Sequence, residues 1–467
     1  MCVASAVEYI SINGLFGDRN VKVNLSEGRR ILIGENGLGK TTILGIANEL
    51  LNGKPENLLS YPFRSVEIKF SNQSWPFHFT IESIRSYIDS KRYVCEDMDE
   101  DGVDMFIHEW LKRPISDDVH EAVRRLLQEN PKIEDRLMAI NISPVPLLAD
   151  LLERFSTFFA YKAQIRNLSY EVVFLPTYRR IEVDIKNVFP SVARKRDWRT
   201  SKSRLVDDLI FDDEYQEFVN TLTLKGLPVR FGMNDISDKI NSILDNISRR
   251  TVRGYGEVSG KIISRLLDAK VEGDSSIMVD PEQVKIVVDR LGDNIPKEER
   301  ERLERALQRD NLQENPNLAY YLSSLADVYK KTERYDTAIK SFIKACNDFL
   351  FDKEFRYDES HVRIGLYFRS DRSNAREISL NKLSSGEKQI IALMAAAYLS
   401  IGKKLVFIMD EPELSLSLIW QRRLLPALVD SGNCSLLLVA THSPFVFDND
   451  MRRFTSGTDE YVKFSKG

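Results

Sequence analysis

Apolar and polar residues alternate along the first stretch of the chain. Val7, Tyr9, Ile10 and Ile12 lead to a Gly14-Leu15-Phe16-Gly17 turn, and Val21, Val23 and Leu25 then alternate with polar neighbours. A period of two with one apolar face predicts half-buried strands. After the Ser26-Glu27-Gly28 turn, the short apolar run Ile31-Leu32-Ile33 enters a glycine-rich loop directly. From Thr42 to Leu51 the spacing turns helical and closes on Asn52-Gly53, a helix-ending pair. Val66, Ile68 and Phe70, then Phe77, Phe79 and Ile81, alternate again and predict an antiparallel sheet appended to the loop-bearing core.

Helical spacing dominates the middle of the chain. It runs from about Met105 to Asn167 through Val123, Leu126, Leu127, Leu147, Leu148, Leu151 and Leu152. Val172-Val173-Phe174-Leu175 reads as a buried strand ending at Pro176. From Ile185 to about Leu350 the chain is polar, charge-rich and helical, with Glu298–Arg302 and Glu301–Arg305 spaced to pair on one exposed face. Leu318 to Leu350 carries a faint tetratricopeptide pattern through Leu322, Ala326, Tyr329 and Tyr335. A single such unit cannot bury its own face, so ordinary arm helices are the better expectation. Val362, Ile364, Leu366 and Phe368 restore strand alternation before a final α/β stretch. Three segments result: 1–184 and 356–467 as the two parts of one head, and 185–355 as a helical insertion between them.

Composition narrows the setting. The 467 residues are 43% hydrophobic and 29% charged with a net charge of -4, so global charge announces neither nucleic acid nor membrane. Length alone suggests about two or three structural units. Cys2, Cys95, Cys346 and Cys434 form no C-x-x-C pair and lie near no histidine, which argues against zinc or a disulfide framework and for reduced thiols. The amino terminus lacks a basic segment followed by an apolar run, so no secretory signal is expected. The longest apolar stretch, near Ile390 to Ile401, is shorter than the ~20 residues of a membrane span. A cytoplasmic protein with no membrane partner is the expectation.

Four motifs carry chemistry. Gly34-Glu35-Asn36-Gly37-Leu38-Gly39-Lys40-Thr41 fits G-x-x-x-x-G-K-[ST] between a strand and a helix. Its glycines let backbone N–H groups converge on phosphate oxygens, and the helix start adds its positive end. Asn36, Gly37, Leu38, Gly39, Lys40, Thr41 and Thr42 are therefore candidate ATP-binding residues, with Lys40 on the β- and γ-phosphates and the Thr41 hydroxyl on Mg²⁺. The apolar run Leu405 to Met409 ends in Asp410-Glu411-Pro412. Asp410 is a second Mg²⁺ candidate, and Glu411 a candidate catalytic residue that orients the attacking water; taken alone, the pair also fits any buried strand with an acidic exit. Leu383-Ser384-Ser385-Gly386-Glu387-Lys388-Gln389 opens a helix. Its serines read as a helix cap and as an anion site, and the two readings are compatible. Leu436 to Val439 leads to Ala440-Thr441-His442-Ser443-Pro444, with His442 at a strand end.

The set and its order resemble the ABC superfamily, whose signature is L-S-G-G-[QE]; Ser385 stands for its first glycine, as in SMC-like and RecF-like branches. The resemblance covers about Val7 to Leu51 and Ile378 to Phe447. It implies an α/β fold: an ABC-type P-loop nucleotide-binding domain with an appended antiparallel β-sheet and a large helical insertion. It also implies that Ser384, Ser385, Gly386 and Glu387 serve the ATP of an opposite protomer, and that His442 is the switch residue at the γ-phosphate. A homodimer or higher homo-oligomer follows from that, as does ATP hydrolysis, either rapid or slow and switch-like. The interval between loop and signature is too long for a compact transporter ATPase and too short for a long coiled coil.

Phe174-Leu175-Pro176-Thr177-Tyr178-Arg179-Arg180-Ile181-Glu182 resembles a segment of the Septu ATPase subunits (PtuA) and their retron-associated relatives, a family of anti-phage defence. That resemblance implies a partner HNH endonuclease. The alternative is a RecF-like or SMC-like DNA-repair ATPase that binds DNA itself. The chain departs from its relatives at Ser417, where Glu413-Leu414-Ser415-Leu416 is commonly followed by histidine. Asp97, Asp99, Asp101 and Gly102 imitate a calcium loop, but His108 stands where a bidentate Glu is required. Arg194, Lys195, Arg196, Arg199, Lys202 and Arg204 surround Trp198; they suit a phosphate backbone or a solvated loop partly neutralised by nearby aspartates. With few residues after His442 and no H-N-H constellation among the five histidines, neither an appended Toprim nuclease nor an HNH nuclease is expected within this sequence.

Overall fold

The computed structural model describes residues 5–35, 37–95, 154–176, 233–267, 280–291, 316–370 and 376–464, with a few isolated helical residues between them. In chain order its main elements are β1 (Val7–Leu15), β2 (Arg19–Asn24), β3 (Arg29–Leu32), α1 (Lys40–Leu51), β4 (Ser65–Phe70), β5 (Phe77–Thr80), α2 (Ile81–Cys95), α3 (Ser156–Leu168) and β6 (Tyr170–Leu175). There follow α4 (Met233–Leu267), α5 (Pro281–Leu291), α6 (Pro316–Phe349), β7 (Lys353–Asp358), β8 (Arg363–Phe368), α7 (Ser385–Tyr398), β9 (Lys404–Asp410), α8 (Leu418–Asp430), β10 (Cys434–Ala440), β11 (Thr455–Ser456) and β12 (Val462–Phe464). Asn36, the Asp97–His108 loop, Arg179, Arg180 and the Arg194–Arg204 cluster lie outside the described residues. The chain forms two units: Met1–Val229 with Lys403–Leu414 and Cys434–Gly467, and Arg230–Gly402 with Ser415–Asn433.

The first unit holds two sheets. One is parallel throughout, in the order β11-β3-β10-β9-β6. Its central strands are unbroken apolar runs, Leu405 to Met409 and Leu436 to Ala440, buried along their length as expected of parallel strands covered on both faces. Register decides what comes next. Ala440 pairs with Leu32 on one side and with Asp410 on the other. The carboxyl ends of β3, β9 and β10 are thus level, and the turns that follow them emerge side by side, where open α/β sheets bind ligands.

The other sheet is antiparallel, in the order β12-β2-β1-β4-β5. Its inward residues, among them Ile10, Ile12, Val66, Ile68 and Phe79, share one core with Ile43, Leu44, Ala47 and Leu50 of α1. Tyr161 of α3 is fully buried among Phe70, Phe77 and Phe79, and its hydroxyl donates to the carbonyl of Leu50 at the end of α1. The expected strand through Ile81 stops one residue short. Thr80 Oγ1 accepts the Ser83 N–H at 3.1 Å and Ser83 Oγ accepts the Thr80 N–H at 3.0 Å, so Thr80 caps a helix instead.

The second unit is mostly helical. Val258 of α4, Val284, Val287 and Val288 of α5, and Leu322, Leu325 and Val328 of α6 build its arm core. Gly254 lets α4 approach α6 closely: a Cβ there would lie 2.7 Å from a Val328 methyl. The tetratricopeptide pattern does not become a helix-turn-helix. No Gly or Pro interrupts 317–349, and α6 runs unbroken for 34 residues. The β7–β8 hairpin is held by a buried network in which Arg290 Nη2 meets Asp336 Oδ1 at 2.7 Å and Nη1 donates to Thr332 Oγ1 at 3.1 Å. Arg290 Nε donates to the Glu359 carbonyl at 3.0 Å, and the Tyr357 hydroxyl donates to Asp336 at 2.5 Å. The α/β class, the P-loop domain, the appended antiparallel sheet and the helical insertion are all present. Among the described residues, no helix is long and apolar enough to cross a membrane.

Candidate functional site

The phosphate-type loop begins where β3 ends. Gly37 and Gly39 take left-handed backbones, with φ of 83° and 85°. Gly39 also has no room for a side chain, since a Cβ would lie 2.7 Å from the Phe16 ring. It stands at the N-cap of α1, which has no side-chain cap and no acidic residue in its first turn. The helix start therefore keeps N–H groups and positive potential available to an anion.

Lys40 is the first residue of that helix and is buried. Its Nζ donates to the carbonyls of Gly34 at 2.8 Å and Glu35 at 3.1 Å, and lies 2.8 Å from His442 Nε2. An ammonium has only donors, so a charged Lys40 uses Nε2 of His442 as its acceptor. Burial pushes the Lys40 ammonium down, and Glu411 and Asp410 oppose that push. The neighbouring Thr41 hydroxyl donates to Asp410 Oδ2 at 2.6 Å across 369 residues of sequence. Thr42 is partly buried beside them.

The turn after β9 is strained. Glu411 has φ of 48°, and its N–H donates to the Ala440 carbonyl at 2.9 Å. A non-glycine residue in this region is a feature of functional turns, and the level strand ends hold it there. Glu411 Oε2 accepts the His442 N–H at 3.2 Å, and Oε1 lies 3.6 Å from His442 Nε2. Burial raises the Glu411 carboxyl to about 8, with help from the adjacent Glu413 carboxylate and from Asp410. Lys40, Thr41, Asp410, Glu411 and His442, drawn from three turns, thus meet at one point. Among the described residues, no group of three or more His, Cys, Asp or Glu side chains could hold a metal by itself.

The signature residues lie in the second unit. Ser384 is the N-cap of α7 in a full capping box: its Oγ accepts the Glu387 N–H at 3.3 Å, and Glu387 Oε2 accepts the Ser384 N–H at 2.8 Å. The Ser384 hydroxyl is also 2.8 Å from that oxygen. Lys353 Nζ pairs with Glu387 Oε1 at 2.9 Å. Burial pushes the Glu387 carboxyl up, but Lys353 and Ser384 outweigh it and hold it below the usual range. Ser384 and Ser385 are exposed, whereas Gly386 is buried, with room for no Cβ: one would lie 2.6 Å from the Ser415 carbonyl. Ser417, the departure from histidine, caps α8, its Oγ accepting the Trp420 N–H at 3.4 Å.

Sequence reasoning missed three residues at the loop and acid turn. Arg19 Nη1 donates to the Gly37 carbonyl at 2.9 Å, and its guanidinium lies 5.3 Å from the Phe16 ring centre and 5.6 Å from that of Phe464. Phe16 is exposed beside the loop. Glu413 is buried against the turn that carries His442. Phe16 and Arg19 sit in a turn whose nearness to the loop only the β1–β2 pairing creates, and the partners of Glu413 are 28 to 30 residues away.

Among curated proteins none matches the chain in sequence. Three of the solved structures similar to it align over nearly all of it. The Smc head domain with an extended coiled coil bound to the C-terminal domain of ScpA, from Pyrococcus furiosus, is 14% identical, with 98% of this chain and 95% of that one covered and a TM-score of 0.33. The SmcHead bound to the C-winged helix domain of ScpA is 11% identical over 98% and 96%, with a TM-score of 0.34. The Smc head domain with a coiled coil and joint from Pyrococcus yayanosii is 13% identical over 98% and 96%, with a TM-score of 0.32. Likeness at that level carries no weight, and the fold stands on the strand order and register above. One family model, described as "AAA domain, putative AbiEii toxin, Type IV TA system", matches residues 208–448, a little over half of the 467. With the P-loop at the end of β3 and the acidic turn at the end of β9, the chain belongs to that AAA domain family.

Proposed function

We propose that this chain binds ATP at Gly34–Thr42 and hydrolyses it to ADP and phosphate as half of a composite site in a head-to-tail dimer. The meeting of Lys40, Thr41, Asp410, Glu411 and His442 carries the reading. Backbone N–H groups of the loop and of the first turn of α1 receive the phosphate oxygens. Lys40 is held between the Gly34 and Glu35 carbonyls, ready to move to the β- and γ-phosphates. The Thr41 hydroxyl and the Asp410 carboxylate are the hard oxygen donors that would hold Mg²⁺, the remaining positions falling to water and phosphate. When bound, the ion offsets charge on the phosphate oxygens. Glu411 orients the attacking water and accepts its hydrogen bond, and His442 reaches the γ-phosphate. Phe16 offers an exposed ring for the base, with Arg19 fixing the turn that carries it. Ser384, Ser385, Gly386 and Glu387 complete the site of the second copy.

The ATPase serves, on this reading, as the nucleotide-responsive subunit of a cytoplasmic anti-phage defence system and controls a partner HNH endonuclease. The resemblance at Phe174 to Glu182 supports it, and the family description, which names a toxin–antitoxin system, agrees with a partnered assembly. A Glu411→Gln chain is expected to trap ATP in a dimer seen by light scattering; failure to bind ATP or to change assembly state overturns the ATPase reading. Failure to co-purify with a nuclease encoded beside it overturns the defence reading alone.

One observation favours a second reading, direct action on DNA. On the arm, Arg250 and Arg334 flank Tyr335 at 5.3 and 4.8 Å, and among the described residues neither guanidinium forms an ion pair with a carboxylate. Salt-sensitive, ATP-dependent duplex binding that is lost on reversing both charges would support it.

A further inference from the structure

We infer that Glu413 is a positioning residue of this site: its carboxylate clamps the Thr441-His442-Ser443 turn and thereby sets where His442 stands against Lys40 and Glu411. The side chain is buried, and a single oxygen, Oε1, gathers three donors. The Thr441 hydroxyl donates to it at 2.5 Å, the Ser443 N–H at 3.1 Å and the His442 N–H at 3.3 Å. Charge-assisted bonds of this kind are stronger than neutral ones, and buried N–H groups left without acceptors are costly. Thr441 is fully buried and its hydroxyl accepts the Ser443 N–H at 3.0 Å, so the carboxylate and the hydroxyl lock the turn together. The imidazole of His442 projects from the middle residue of that turn, and its Nε2 stands 2.8 Å from Lys40 Nζ.

The carboxylate thus meets all three residues of the turn. The other contact of the His442 N–H, Glu411 Oε2 at 3.2 Å, comes from a side chain whose work is at the water. The Glu413 carboxylate also hydrogen-bonds the neighbouring Glu411 carboxyl, which helps to raise it. Glu413 touches no reacting atom; it acts through His442 and, as the near neighbour of Glu411, on the placement of the water-orienting carboxylate.

The kinetic part of the test rests on the ATPase reading, and the exchange part does not. Glu413→Ala removes the acceptor, whereas Glu413→Gln keeps a carbonyl oxygen for the same three donors. In the full-length chain, Glu413→Ala is expected to lower kcat by about 10²-fold, the scale of a misplaced catalytic group. KM should move by less than about 3-fold, since ground-state binding is untouched. Glu413→Gln should return kcat to within about 5-fold of the parent, on the same reasoning. Hydrogen–deuterium exchange without nucleotide should quicken at 441–443 in Glu413→Ala by about 10-fold or more, as a lost bond of ~1.4 kcal/mol requires, and return to the parent rate in Glu413→Gln. Exchange along α1 should not change. The clamp is overturned if Glu413→Ala leaves kcat or the 441–443 exchange unchanged. It is overturned equally if Glu413→Gln is as impaired as Glu413→Ala, which would make the charge, and not the acceptor, the active feature. A parent chain without ATP turnover would sink the ATPase reading, while the exchange rates would still decide the clamp.

Discussion

Replacing Glu411 by Gln should stabilise the protein at high pH and leave its stability nearly unchanged at low pH. Burial first, and then Glu413 and Asp410, lift the Glu411 carboxyl from its ordinary 4.5 to about 8. The folded chain therefore keeps a proton there up to about pH 8 that the unfolded chain releases near 4.5. Between those values the folded state binds more protons, so this group's contribution to stability falls as pH rises. Taken whole, the shift would be worth about 5 kcal/mol. The side chain keeps 16% of its exposure and its charge is partly screened, so about 2 kcal/mol is the realistic size. Glutamine matches the protonated carboxyl in shape and never ionises. Thermal melts without nucleotide should then coincide near pH 5 and separate above pH 8, with Glu411→Gln higher by a few degrees. Equal melting temperatures across the range, or a less stable variant at pH 9, would refute the reasoning. The same variant should bind ATP and lose about 10²-fold or more in turnover, the scale expected when a group that orients the attacking water is lost.

Other perturbations probe the loop, the signature and the arm. Gly39→Ala forces a side chain into a backbone with φ of 85° and against Phe16, and should weaken nucleotide binding by about 10-fold or more in a fluorescence titration, given ~1–2 kcal/mol of left-handed strain. Pairing it with Phe16→Ala relieves the clash but not the strain, so rescue should be partial. Gly386→Ala drives a Cβ onto the Ser415 carbonyl, and the variant should bind ATP as a monomer but fail to dimerise by light scattering. Arg290→Met strands Asp336, whose side chain is 1% exposed, at a cost of about 3–5 kcal/mol in denaturant unfolding; adding Asp336→Leu should recover much of it.

How much of this was legible in the sequence depends on how local the cause is. The strands β1, β2, β4 and β9 and the helix α1 follow from periodicity, and Lys40, Thr41, Asp410, Glu411 and His442 were named from motifs because each motif carries its own strand and turn. The contacts between them needed the register that places Leu32, Ala440 and Asp410 level. Other features have no local signal. β7 reads Lys-Glu-Phe-Arg-Tyr-Asp, too polar to suggest a strand, and exists because β8 pairs with it. β12 is three residues long and takes its conformation from the free edge of β2. Thr80 ended a strand one residue before its apolar pattern did, because a side-chain cap outweighs one further alternation. Ser417 reads in the sequence only as a departure from histidine, and in the fold it supplies the N-cap of α8.

The candidate groups share a further property: most already have protein partners. Lys40 has three acceptors, the Thr41 hydroxyl has Asp410, and the Ser384 hydroxyl has Glu387. A nucleotide arriving on the proposed reading would therefore exchange hydrogen bonds and would not satisfy orphans. An exchanged bond is worth only about 0.5–1.5 kcal/mol net, so affinity must come from charge: the helix start, the ammonium and the ion on Thr41 and Asp410 against the phosphates. Exchange also sets what is released. If Lys40 leaves His442 for phosphate, Nε2 of His442 is freed to turn toward the γ-phosphate, while Glu413 keeps its backbone in place. If the Ser384 hydroxyl leaves Glu387 for the ATP of a second copy, the carboxylate is still paired with Lys353 at 2.9 Å and is not stranded. Each step then has a small net free energy in either direction. That favours a site that opens and closes with nucleotide over one that holds it irreversibly, and it places the control of turnover in the groups that fix the exchanged partners, Glu413 and Lys353, as much as in the groups that meet the phosphate.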